Sequence, residues 1–173
     1  MITPFEKARI LLSNMPEEVF TIWFDDRIKE AGWPIEGPLW ERLLNWHSES
    51  DFAMLLWRKE RIPLDHLNNL GERSRQIVIG LIEANTCGVI NEYSRSIPDT
   101  KYRFNRILQY VMRNKNLPQP VILIHEGENY ELLDGSHKLS VLFKMAEYRE
   151  LYEYLPQKIE AWIAYKNDSP VNV

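Results

Sequence analysis

The run Asp134-Gly135-Ser136-His137-Lys138 places an unrestricted backbone position, a hydroxyl, an imidazole and an ammonium side by side. Such a set could bind an anion. Glycine lets an oxygen approach backbone N–H groups because no Cβ stands in the way. Serine and histidine supply donors, and lysine a full positive charge. At a strand-to-helix junction these residues would also use the helix N-terminus, where the first N–H groups lack intrahelical acceptors and the dipole is positive. The plainer reading is that Asp134 caps the helix, Gly135 relieves the turn and Lys138 is solvated. Five residues alone do not separate the two readings, so the surrounding elements carry the weight.

More positive charge lies upstream. Lys101, Arg103, Arg106, Arg113 and Lys115 occur with no acidic residue between Thr100 and His125. They describe either a solvated helix face or local positive potential beside an anion site, with Arg103 and Arg106 as the phosphate-contact candidates. The net charge of −4 argues against general nucleic-acid binding, so DNA is not an expected partner. The acidity belongs to the first half: residues 1–90 hold 10 Lys/Arg and 14 Asp/Glu, residues 91–173 hold 11 of each.

The elements that must position the turn are readable around it. Tyr102, Phe104, Ile107, Leu108, Val111 and Met112 fit a helix ended near Asn116 and Leu117-Pro118. Val121-Ile122-Leu123-Ile124 is apolar on both faces, as a central strand is. Glu126-Gly127-Glu128-Asn129 is a turn, and Tyr130–Leu133 returns as a second strand. Leu139, Leu142, Phe143 and Ala146 recur at helical spacing, and the alternation from Lys158 to Tyr165 gives a last strand.

The first part of the chain reads as helical. Thr3-Pro4-Phe5-Glu6 has the form of a capping box with proline at the first helical position. A second helix is expected from Pro16 to Gly32 through Val19, Ile22, Trp23 and Ile28. A third covers Leu39, Trp40, Leu43, Leu44 and Trp46. A fourth starts at Ser50-Asp51 and carries Phe52, Leu55, Leu56 and Trp57 up to Pro63. Five of the six tryptophans fall in these helices and their connections, which favours core packing over a binding surface. Gln76–Ile82 suits a buried strand or a helix equally. Gly88–Tyr93 is a strand candidate, and Ser94–Thr100 reads as a loop that caps the next helix. The expected fold is α+β: a helical region over residues 1–70 packed on a small mixed β-sheet within residues 71–173.

Other chemistries find little support. His47, His66, His125 and His137 show no metal-ligand spacing, and the single cysteine, Cys87, cannot build a thiolate zinc site. Neither a Walker-type loop nor a dinucleotide glycine fingerprint is present. Cys87 reads as a small buried core residue. The absence of a disulfide framework, of a leader-like start and of a membrane-length apolar run leads us to expect a cytoplasmic protein without a membrane partner.

The stretch from Arg106 to Tyr165 resembles the core of the ParB/sulfiredoxin superfamily. The matching words are Leu117–Ile124, which runs from a Gln119-Pro120 pair into an apolar strand, then Tyr130–Leu133, and the strand–turn–helix Asp134–Leu139. The likeness spans roughly a third of the chain, or half if residues 77–105 hold the missing first strand. It implies a site for ATP, ADP or CTP with Mg²⁺, in which Asp134, Gly135, Ser136, His137 and Lys138 hold phosphates. Ser136 stands where sulfiredoxin-like proteins carry a reactive cysteine, and a hydroxyl cannot replace that thiolate, so sulfinic-acid reduction is not expected. His137-Lys138 replaces the two arginines of partition-type members, and only a short tail follows where those add DNA-binding helices. The free-serine kinase branch, whose turn also reads Asp-Gly-x-His, is the nearest enzymatic analogy.

Two functions follow as expectations. One is nucleotide binding, extending to a phosphotransferase acting on a small-molecule acceptor. Glu92, Asp99 and Glu126 are its candidate catalytic acids, although surface positions suit them as well. The other is a non-catalytic interaction module of antitoxin or immunity type, meeting a protein partner through the Trp-rich helical region. A cleft over Gly135 bordered by an arginine and a carboxylate favours the first. A turn covered by the N-terminal helices favours the second.

Overall fold

The structure is a computed structural model that describes residues 3–24, 53–97 and 99–166. Helix α1 (Pro4–Leu11) starts on the expected capping box: the Thr3 hydroxyl accepts from the Glu6 N–H at 3.2 Å, and the Glu6 carboxylate accepts from the Thr3 N–H at 2.7 Å. Helix α2 (Glu17–Val19) widens into a π-helical turn over Phe20–Phe24. The expected continuation to Gly32 and the helix through Trp46 fall outside the described residues.

Strand β1 (Leu56–Pro63) occupies the stretch expected to continue a helix, and this corrects that expectation. It pairs antiparallel with β4 (Lys158–Tyr165) along its full length, from Leu56↔Tyr165 to Pro63↔Lys158. Leu55, Leu56 and Trp57 are consecutive apolar residues, but Arg58 to Arg61 offer no partner at helical spacing. In a strand they divide, with Trp57 joining the core on one face and Ile62 the core on the other.

Helix α3 (Glu72–Thr86) resolves the ambiguous Gln76–Ile82 run as helical, burying Ser74, Val78, Leu81, Ile82 and Asn85 on one side. Gly88–Tyr93 is not a strand. Val89 and Ile90 are exposed, and Asn91 caps the short helix α4 (Glu92–Ser96), its side-chain oxygen accepting from the N–H groups of Tyr93 and Ser94. The described part of residues 77–105 therefore holds most of α3, then α4 and the start of helix α5 (Thr100–Asn114), and not the missing first strand on which extending the family likeness to half of the chain depended. Helix α5 ends at Lys115 in a left-handed conformation, φ 50°, close to the expected stop.

Strand β2 (Val121–Glu126), strand β3 (Asn129–Asp134), helix α6 (Ser136–Met145) and β4 lie where the pattern placed them. The four strands form a mixed sheet in the order β1-β4-β2-β3, with β2 parallel to β4 and antiparallel to β3. The protein is α+β, with helices packed on the sheet. Both faces are covered, which explains the doubly apolar β2. Val121 and Leu123 meet α3, α5 and α6 on one face; Ile122 and Ile124 meet α1, α2 and the π turn on the other. Among the described residues no helix is long and apolar enough to cross a membrane.

Candidate functional site

The turn forms where β3 runs into α6. Gly135 adopts φ 106°, a conformation that L side chains resist, and it occupies the N-cap position without offering a side chain. A Cβ here would lie 2.8 Å from Val121 Cγ1, so the glycine also lets the turn pack on β2. Asp134 does not cap the helix, and no side-chain cap is present. Among the described residues no side chain takes up the N-terminal amides of α6, and Gly135 to Lys138 line the space beside the turn.

That space is a cleft of about 530 Å³ between the turn and α5. Asp134, Gly135, Ser136, His137 and Lys138 form one wall; Asp99, Arg103 and Arg106 lie along the other. Arg103 and Arg106 are exposed, and so can reach a ligand in the cleft. The Arg103 guanidinium meets the Asp99 carboxylate at 2.8 Å, an exposed pair one helical turn apart that water and salt weaken. Arg103 holds the Asp99 carboxyl below the usual range. Arg106 lies 5.6 Å from the Tyr102 ring centre. Tyr110, Ile107 and Pro118 make an apolar end.

Two residues of the turn behave differently from the simple cationic picture. Lys138 is buried, 8% exposed, and donates from Nζ to the Pro120 carbonyl at 2.8 Å, with Asp134 Oδ2 at 3.7 Å. Burial lowers its pKa while Asp134 opposes that shift. Its ammonium braces the start of β2 against α6 rather than projecting as a solvated charge. His137 is pushed down to about 4, first by burial, then by the nearby Arg103 charge, with Asp99 opposing. It is neutral at pH 7.

The three candidate acids separate. Asp99 lines the cleft. Glu92 is exposed on α4 and is not part of the cleft wall. Glu126 sits at the far end of β2 from the turn and pairs with Lys166 at 2.8 Å. The structure also brings in residues the sequence did not mark. Thr100, buried at the start of α5, lies 2.8 Å from His137 Nε2, and Asn85 on α3 donates to the same Thr100 hydroxyl at 3.1 Å. Thr100 could have been suspected from its place at the head of the basic helix. Nothing in the sequence links Asn85 to the turn, because that link needs α3 packed beside α5. No protein-family model matches this chain, and comparison with curated proteins and with solved structures yields no match either.

Proposed function

We propose that the cleft over Gly135 binds the phosphates of a nucleotide (ATP, ADP or CTP), as the likeness to ParB/sulfiredoxin-like proteins implies. The observation that carries this reading is an uncapped helix N-terminus opening onto a cleft whose facing wall presents two arginines. Backbone N–H groups and the helix dipole favour an anion, and guanidinium forks match phosphate oxygens geometrically. The cleft size suits a small ligand, and its apolar end by Tyr110 and Pro118 can take an uncharged ring. The described N-terminal helices lie on the opposite face of the sheet and leave the turn uncovered, which weighs for a ligand site over a covered interaction surface.

Two carboxylates, Asp99 and Asp134, line the same cleft. That fits Mg²⁺ carried in on phosphates, an ion that keeps most of its waters and uses one or two carboxylates. Bound there, it would neutralise phosphate charge. Phosphoryl transfer to a small-molecule acceptor is the reaction such a site would serve, with Asp99 the acid candidate best placed to take part. The alpha-helical wall supplies orientation: Arg103 and Arg106 clamp the phosphates while the α6 amides hold the terminal oxygens.

Isothermal titration with ATP, ADP and CTP in Mg²⁺ tests the proposal. Binding is expected, weakened at least about tenfold when Arg103 and Arg106 are both changed to methionine. Absence of binding by the wild-type protein at millimolar nucleotide overturns it.

A further inference from the structure

A hydrogen-bond chain runs from the protein interior to the cleft wall. Asn85 is 8% exposed; its Nδ2 donates to the Leu81 carbonyl at 2.8 Å and to Thr100 Oγ1 at 3.1 Å. The Leu81 carbonyl can only accept, so the amide orientation is set and the contact to Thr100 is a donation. Thr100 is 5% exposed, and its hydroxyl has one other partner among the described residues, His137 Nε2 at 2.8 Å.

Two arrangements satisfy these distances. If His137 Nε2 carried the proton, Thr100 Oγ1 would accept twice and its own buried hydrogen would have no acceptor. A buried, unmet donor is costly. If Thr100 donates to Nε2, every hydrogen from the Asn85 amide to the Thr100 hydroxyl is used. The proton of the neutral imidazole then resides on Nδ1. That atom has no partner among the described residues, and His137 is half-buried and lines the cleft. The opposite tautomer would turn a lone pair toward the anion.

We propose that Asn85 and Thr100 are positioning residues that lock His137 in its Nδ1–H tautomer, so that it faces the cleft as an uncharged hydrogen-bond donor. The inference rests on the anion-site reading only for its purpose; the tautomer itself is a property of the protein without ligand. The low protonation tendency of His137 agrees with it, since Nε2 can accept only from a neutral ring. The Asn85 Oδ1 atom is buried and accepts no hydrogen bond among the described residues. That oxygen costs stability, so the amide is held in place by its two donations.

Long-range ¹H–¹⁵N NMR on the full chain reads the tautomer directly. For wild type we expect a protonated Nδ1 and an unprotonated Nε2 at pH 7. A protonated Nε2 overturns the assignment, whatever the protein binds. Thr100→Val keeps the shape and removes the hydroxyl. It should mix the two tautomers and weaken pyrophosphate binding about tenfold, while Thr100→Ser should restore both. Unchanged tautomer and affinity in a folded Thr100→Val protein also overturn the proposal. Should that variant not fold, the wild-type spectrum and Thr100→Ser still decide. If wild type shows the Nδ1–H form yet ignores millimolar pyrophosphate, the positioning holds and the anion-site reading fails.

Discussion

His137 enters the cleft wall as a neutral imidazole because burial and the Arg103 guanidinium both oppose a charge on it, with Asp99 pulling the other way. Replacing Arg103 with glutamine should therefore raise its titration midpoint from about 4, and Asp99→Asn should lower it; NMR titration of the ring checks both directions. The pH dependence of stability has a definite sign. Between about 4 and the ordinary histidine value of 6.5 the unfolded chain takes up a proton that the folded chain refuses. The contribution of this residue is then complete above pH 6.5 and drains away as pH falls toward about 4. Urea unfolding at a series of pH values should show that loss, and changing His137 to glutamine should flatten it. Asp99 also competes with any anion for Arg103. With Mg²⁺ absent, Asp99→Asn should tighten pyrophosphate binding by a factor of about two to five, as expected for loss of one exposed charge partner.

At the scale of elements, the site depends on how tightly β3, β2 and α6 meet. Gly135→Ala would force a side chain into φ 106° and against Val121. We expect it to destabilise the fold by about 2–4 kcal/mol in urea unfolding. Lys138→Ala removes the brace between the Pro120 carbonyl and α6 and leaves Asp134 without its buried partner. A loss of about 1–3 kcal/mol is expected in the same assay. Helix α3 is tied to the sheet in a comparable way. Glu131, reaching from β3, accepts from the Ser74 hydroxyl, and Ser74 Oγ accepts from the Leu132 N–H at 2.8 Å. A Cβ on Gly71 would meet that carboxyl group, which would have to move aside.

At the scale of the whole molecule, the described residues place a helical layer on each face of the sheet. The cleft lies in the layer of α3, α5 and α6, whereas Trp23 belongs to the other, in a cluster against which Trp57 and Trp162 pack. Because Val121 and Leu123 face one layer and Ile122 and Ile124 the other along one strand, both layers depend on the same stretch of β2 backbone. Trp23→Ala should thus cost about 3–5 kcal/mol and lower the stability of the distant cleft layer together with its own. Fluorescence of Trp23, Trp57 and Trp162, with the remaining three tryptophans changed to phenylalanine, should follow the same unfolding curve as far-UV circular dichroism. Separate curves would instead favour a division into independent units at residues 1–70 and 71–173, although β1 lies in the first and pairs with β4 in the second.

Much of this was legible without coordinates, for a local reason. The Thr3–Glu6 capping box, the hairpin from Val121 to Asp134 and the helix after Gly135 each state themselves within a few residues, through a cap, a turn or a period. The turn at Gly135 belonged to that set. Strand β1 did not, because its identity comes from pairing with β4 far along the chain, and Gly88–Tyr93 misled because β-favouring residues formed no pair and the Asn91 cap prevailed. Residue types at the turn were likewise known from the start, but their roles were not. Only packing decided that Lys138 would be a buried brace, that Glu126 would stand at the wrong end of its strand and that Asn85 and Thr100 would reach His137. Charge and hydrogen-bonding capacity are written in the sequence; burial and partners, which determine how they are used, arise when distant segments close on one another.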